Sequence, residues 1–369
     1  MAGPLAHIRI VEFEGIGPAP HAGMLLADQG AEVVRIVRPS AERGALLADT
    51  GGAVLHRGRA AITLDLKAEA DVALARRLIA AADGLIEGLR PGVMERLGLG
   101  PGPCLEANPR LVYGRVTGWG QEGPLARAPG HDINYIALVG VLGAMGPADG
   151  PPVPPLNLVG DFGGGGLWLA FGMLAALIEA GRTGRGQVVD AAMVDGAASQ
   201  LAMLYAWLAS GRWERSRGGN LLDGSAPFYR TYECADGGFV AVGALEPRFF
   251  AALMAGLGID PAAEGLDQGD RARWPALAER MAAVFATRPR DDWATRFEGT
   301  EACVSPVLMP WEAPNHPHNR ARGTFVGPPV QPAPGPRLSR HGKAAPPVDT
   351  RPDADRDALL ARWGVADGD

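Results

Sequence analysis

Five short apolar runs with helical or turn texture between them occupy the first 118 residues, and this alternation restricts the chain to one fold class. IRIVEF (8–13), EVVRIV (32–37), AITLDL (61–66), GLIEGL (84–89) and RLVYGRVTG (110–118) read as strands. Helical patterns cover 21–28 and 69–82. Strands that alternate with helices build βαβ units, whose crossovers place the strands parallel. The expectation is an α/β fold with a Rossmann-like large domain and a mostly parallel sheet. No G-x-G-x-x-G follows the first strand, so NAD is not indicated.

Apolar helices are expected over 132–146, 165–181 and 194–210, and a strand over 188–193. From 212 the texture turns to Arg, Gly, Asn and Ser, a linker composition. A hairpin with its turn at Ala235–Gly238 and three amphipathic helices over 247–299 follow, then a strand at 302–310. These boundaries give a large domain from 1–211 and 306–369, a linker at 212–224 and a smaller α+β domain at 225–305.

The formal charge is −6, and no basic stretch is long enough for nucleic acid. Three cysteines without metal spacing fit a reducing compartment. The N-terminus runs into a strand pattern without the texture of a signal peptide, so the expected location is cytoplasmic. Gly163–Ala180 is apolar but glycine-rich at its start and carries Glu179, which reads as a buried helix and not a membrane span.

The chemistry concentrates in PPLNLVGDFGGGG (154–166), where Asp161 ends an apolar run before four glycines. Asp161-Phe162-Gly163 matches the kinase magnesium tripeptide, yet the glycine-rich loop, strand lysine and H-R-D loop of kinases are missing. A carboxylate near a helix start is ordinarily an N-cap, favoured by free N–H groups and the dipole. Here the glycines also admit close approach of another group, and exposed N–H groups would suit an oxyanion. His131, between a Pro-Gly turn and an apolar helix, is either a capping residue or a general base. Glu246 precedes Pro247 at a helix start, where a solvated first-turn acid is the common fate. His316-Pro317-His318 lacks further metal ligands nearby and reads as a structural turn.

The stretches GHDINY (130–135), PPLNLVGDFGGGG (154–166), GRGQVVDAAMVDG (184–196) and HPHNRARGTFV (316–326) resemble the alpha-methylacyl-CoA racemase branch of the family III CoA-transferase superfamily. LLADQGAEVVRIVRP (25–39), TLDLK (63–67) and IEGLRPGVMERLGLG (86–100) extend the resemblance, which runs from about residue 5 to about residue 345. Transferases of the superfamily share the Gly160-Asp161 pair and use the aspartate as nucleophile. Racemases add a histidine in the G-H-D-I-N-Y context, here His131. The resemblance therefore implies 1,1-proton transfer at the carbon alpha to a thioester, with His131 and Asp161 on opposite faces and Glu246 orienting the histidine. It also implies an acyl-CoA site formed by Arg38, Thr63, Leu64, Asp65, Leu66, Lys67, Glu87 and Arg90, with Gly130, Asp132, Ile133, Asn134 and Tyr135 along the pantetheine arm. No cofactor is expected, CoA being part of the substrate. Neither a nucleic acid nor a membrane is an expected partner; an intertwined homodimer is. The family often shows N-R-G-K-R-S before the third strand, where this chain has His56-Arg57-Gly58-Arg59-Ala60-Ala61. Two rivals are a CoA-transferase acting through Asp161 and a non-catalytic CoA-binding protein.

Overall fold

A computed structural model describes residues 3–39, 52–341, 353–354 and 356–365. These fall into two compact units, one from Met1–Val141, Pro155–Leu201 and Ala321–Asp369, the other from Leu142–Pro154 and Ala202–Arg320.

The first unit is built on β1 (Arg9–Phe13), β2 (Glu32–Val37), β3 (Ala60–Thr63), β4 (Gly84–Glu87), β5 (Val112–Thr117) and β6 (Gln187–Ala192). All pair in parallel, in the order β3-β2-β1-β4-β5-β6. Ile10 stands between Val33 on one neighbour and Gly84 on the other. This is the doubly wound order, with its switch point between β1 and β4, where a crevice opens outside the strand carboxyl ends.

Alternate strand residues explain the two layers. Val11, Phe13, Val34, Ile36, Leu85 and Tyr113 face a core shared with the helix Glu69–Ala80 and the C-terminal helix Arg356–Trp363. Ile10, Val33, Ile86 and Val112 face a second core with the helices Pro18–Asp28 and Trp168–Thr183. Strands covered on both faces need an apolar residue at nearly every position, which is why these runs do not alternate with polar residues.

Charge is buried in this unit as well. Arg57 donates through Nε and Nη2 to the two carboxylate oxygens of Asp28, at 2.9 and 2.6 Å, and through Nη1 to Gln331 and to the Pro332 carbonyl. Arg59 pairs with Glu12, and both are almost fully buried. Arg57 thus ties the returning C-terminal part of the chain to the first helix. Removing one partner of such a pair leaves an uncompensated buried charge.

Residues 165–181 differ from expectation. The helical run begins at Leu158, as a ten-residue π-helix Leu158–Leu167 that passes into the α-helix Trp168–Thr183. Nor is the helix buried all round. Leu169, Met173, Ala176 and Ala180 pack on the sheet side, while Leu167, Phe171 and Ile178 are more than half exposed. Length and composition would allow this helix to cross a bilayer; in this chain one face is committed to the sheet.

In the second unit, β7 (Tyr229–Glu233), β8 (Phe239–Gly243) and β9 (Val304–Pro306) form an antiparallel sheet. The helices Pro247–Leu257, Trp274–Phe285 and Arg290–Phe297 pack on it around Tyr232, Val240, Val242, Leu253, Met281 and Trp293. The polar stretch at its start has a definite structure. The Asp223 carboxylate accepts from the Gly218 and Ser225 amides, the Asn220 amide and side chain, and the Ser225 hydroxyl. Fully buried Asn220 in turn accepts from the Glu214 amide and donates to the Ser216 carbonyl. Asp223→Ala orphans several of these donors and is expected to lower unfolding free energy by about 2–3 kcal/mol, measured by urea denaturation.

Candidate active site

A cleft of about 520 Å³ opens at the switch point of the parallel sheet. Its walls come from the loop after β1 (Ile16, Pro18), the loop after β4 (Gly88–Pro91), the end of β5 with the loop that follows (Val116–Trp119, Ala128–His131), and the π-helix through Asp161. Elements far apart in sequence meet here because parallel strands release all their carboxyl-end loops on one edge.

Asp161 is the fourth residue of the π-helix, so it is not the N-cap that its sequence position suggests; Asn157 occupies that place. The Asn157 side-chain amide donates to Asp161 Oδ2 at 3.1 Å. The backbone N–H of Asp161 donates to Oδ2 of Asp132 at 2.7 Å, so it is not one of the exposed helix-start donors anticipated for an oxyanion. Burial raises the carboxyl of Asp161 above its ordinary value; Asn157 opposes this, the charge of Asp132 adds to it, and His131 opposes it. Burial is the leading cause, so the protonated acid is more accessible here than on a free side chain.

The glycines beside Asp161 serve packing. A Cβ on Gly164 would stand 2.6 Å from the Ala197 amide nitrogen, and one on Gly165 2.7 Å from Cβ of Pro18. The helices Pro18–Asp28 and Met193–Ser199 therefore approach the π-helix to backbone distance.

His131 caps the helix Asp132–Leu138, its N–H donating to Asn134 Oδ1 at 3.1 Å, and its exposed imidazole borders the same cleft as Asp161. His131 is thus the capping residue of one reading, and its ring lies at the cleft, where the other reading needs it. Tyr135 seals the floor: its hydroxyl donates to the Gly130 carbonyl and its ring stands edge-on to Trp119 at 4.8 Å. Burial, and next the field of Asp161, push Tyr135 up to about 12, so the phenol stays neutral.

The remaining candidates divide. Arg90, Gly130, Asn134 and Tyr135 border the cleft with His131 and Asp161. Leu64 is fully buried in the sheet core, and Leu66 packs partly buried against it. Glu87 is fully buried, accepting from Arg115 Nε at 2.7 Å and the Leu89 amide at 2.8 Å, with burial raising its carboxyl. Asp132 is buried with its carboxylate turned to the Asp161 amide, while Ile133 is 45% exposed and outside the cleft lining. Arg38 is held by Glu14 at 3.3 Å, and the Thr63 amide by Asp353 at 3.0 Å. Asp65 accepts from the Lys67 amide and donates its own amide to Asp71, ordering the loop after β3. Glu246 lies in the second unit, exposed, as N-cap of the helix Pro247–Leu257. Of the two arginines in the departing His56–Ala61 stretch, both are interior ion-pair partners. Among the described residues no cluster of His, Cys, Asp and Glu is arranged to hold a metal.

Sequence reasoning passed over Asn157, Gly17 and Trp119. Asn157 stands four residues before Asp161, a helical spacing legible only if the run is read as helix from 158. His21 lies in no motif of the sequence. Its ring meets Phe162 at 4.6 Å, and burial, then Arg57 and Arg59, lower it to about 4. The unfolded chain takes up this proton near 6.5, the folded protein only near 4. Stability is therefore lost as pH falls through that window, by on the order of 2 kcal/mol. Urea titrations at pH 7 and 4.5 are expected to show this slope in the wild type and a shallower one in His21→Gln.

The model of the family described as CoA-transferase family III matches residues 5–352. The chain is 47% identical over 339 residues to the Mus musculus protein named alpha-methylacyl-CoA racemase, covering 91% of this chain and 87% of that protein. With the Homo sapiens protein of the same name it shares 45% over 324 residues, 87% of this chain and 82% of that one. Among solved structures, a CAIB/BAIF family protein from Brucella suis superposes with a TM-score of 0.84 at 27% identity, over 98% of this chain and all of that one.

Proposed function

Since the chain belongs to CoA-transferase family III, and its mouse and human relatives are named alpha-methylacyl-CoA racemase, we propose that it is an isomerase that epimerises carbon 2 of 2-methyl-branched acyl-CoA thioesters. The observation that carries this reading is that an imidazole and a partly buried carboxyl, His131 and Asp161, border one cleft from separate elements.

The thioester carbonyl acidifies the alpha hydrogen by taking the charge as an enolate. His131 removes the proton from one epimer, and Asp161, protonated, returns one to the opposite face. For the other epimer the roles reverse, and the enzyme ends each turnover in the alternate protonation state. An acid–base pair of this kind needs matched proton affinities, and the raised carboxyl of Asp161 moves it towards the range of an imidazole. Arg90 at the cleft edge is suited to a CoA phosphate. No resident cofactor enters the reaction.

Incubating the protein with one epimer of a 2-methylacyl-CoA in deuterated water tests this reading. Incorporation of one deuterium with loss of optical purity, without any acceptor acid, is expected. CoA movement that depends on an added carboxylic acid would instead assign Asp161 as the nucleophile of a transferase.

The partner reading is a homodimer. Leu167, Phe171 and Ile178 follow one another on a single helical face, all more than half exposed, and such a stripe is suited to burial against a second copy. Sedimentation at micromolar concentration is expected to give a dimer, and Phe171→Glu to shift it towards monomer.

A further inference from the structure

Two proton carriers on separate elements work only if those elements keep a fixed register. One side chain spans them. Asp132 follows His131 directly and is 6% exposed, and its Oδ2 accepts the backbone N–H of Asp161 at 2.7 Å. It is the first residue of the helix that His131 caps, and its hydrogen bond ends on the π-helix that carries Asp161. The approach is tight: a Cβ on Gly160 would collide with the Asp132 carboxylate. Asp132 therefore belongs to one helix covalently and to the other through a charge-assisted hydrogen bond.

We propose that Asp132 is a positioning residue for the acid–base pair, its carboxylate clamping the Asp161 amide so that His131 and Asp161 keep one spacing across the substrate carbon. This rests on the reading of the two residues as proton carriers. The carboxylate does not enter the cleft lining and takes no part in proton transfer.

The clamp also has an electrostatic consequence. The charge of Asp132 acts on Asp161 in the raising direction, second to burial among the effects that push it up. The other groups around the pair are His131 and Tyr135 on the helix of Asp132 and Arg90 on the loop after β4, whose charge acts on Tyr135. His21 faces the π-helix from the first helix, at Phe162, and Gln200 touches it from the Met193–Ser199 side through the Val159 carbonyl. Of these, Asp132 bonds directly to the backbone of Asp161.

Two variants separate clamp from charge. Asp132→Asn keeps an acceptor for the amide and loses the charge; Asp132→Ala loses both. In Asp132→Ala, kcat for epimerisation is expected to fall by about 10–100-fold with KM changed less than about threefold, since misplacement by about an ångström has that scale of effect. Asp132→Asn should recover most of kcat. Its pH profile of kcat/KM should shift to lower pH on the limb set by Asp161, because the neighbouring negative charge is gone. Amide hydrogen exchange of the segment 156–166 should quicken in the alanine variant and stay near wild type in the asparagine variant.

Equal kcat, pH profile and amide protection in all three proteins would overturn the proposal while leaving the racemase reading intact, provided the wild type exchanges its alpha hydrogen. If the wild type shows no such exchange, the racemase reading fails, and amide protection alone still decides whether Asp132 holds Asp161. Should the alanine variant not fold, the pH profile of Asp132→Asn decides: an unshifted limb counts against the clamp's charge, a lowered limb supports it.

Discussion

Asp161→Asn is expected to lower the epimerisation rate by about 10²–10⁴-fold, the range associated with one positioned proton carrier, while acyl-CoA affinity changes less than about threefold. The asymmetry of a two-carrier mechanism sharpens this. With Asp161 disabled, His131 still reaches the alpha proton of one epimer, so in deuterated water that epimer should wash in deuterium with its configuration kept. His131→Ala should do the reverse, exchanging the other epimer. Exchange of both epimers by either variant, or racemisation at the wild-type rate, would show that the pair does not divide the two faces. The same substitution has a signed effect on stability. A carboxyl raised in the folded state contributes most to folding below its ordinary value of 3.8 and loses that contribution as pH climbs through the raised value. At neutral pH the ionised Asp161 opposes folding, and the amide does not. Asp161→Asn should therefore melt no lower than the wild type at pH 7, the difference shrinking towards pH 4.

The parallel sheet was legible because β1 to β5 are largely apolar runs, a pattern left by burial on both faces. The two-layer periodicity of Val11 against Ile10 or Val34 against Val33 confirms that origin. The start of the helix through Asp161 was not legible, and the reason is glycine. Four glycines between 163 and 166 carry a large propensity penalty, so local reasoning placed the helix start among them. Packing overrides the penalty, since only glycine lets Ala197 and Pro18 come so near. Types of side chain at the site were readable; their direction was not. The resemblance implied Glu87 and Asp132 as parts of the acyl-CoA site, and each carboxylate accepts from a protein donor, Arg115 and the Asp161 amide. Arg57 and Arg59, in the stretch that departs from the family pattern, are interior partners of Asp28 and Glu12. Polar residues at strand ends serve either the crevice or the buried charge network beneath it, and spacing alone does not separate the two.

Gly17→Ala is the second substitution expected to have a large effect, and it acts through Asp161 without touching its chemistry. Gly17 sits at φ 65° and ψ −109°, a conformation open to glycine and strained for any other residue. A Cβ there would stand 2.7 Å from Oδ2 of Asp161 and 3.0 Å from its Cγ. Backbone strain should cost about 1–3 kcal/mol of stability. The collision adds a separate effect, because the Asp161 carboxylate must rotate or retreat, and a shift of about an ångström lowers kcat on the order of 10²-fold. Gly140→Ala separates the two. Gly140 also lies at positive φ, 87°, where any other residue is strained, but a Cβ there meets nothing within 4 Å. It should lose stability on a similar scale and keep its kcat. If Gly17→Ala loses no more kcat than Gly140→Ala at matched folded fraction, the loop after β1 is not what fixes the carboxylate. If kcat falls alone while KM holds, the missing side chain at position 17 is part of how this chain aims its acid, and the loop after the first strand belongs to the catalytic apparatus as much as the π-helix does.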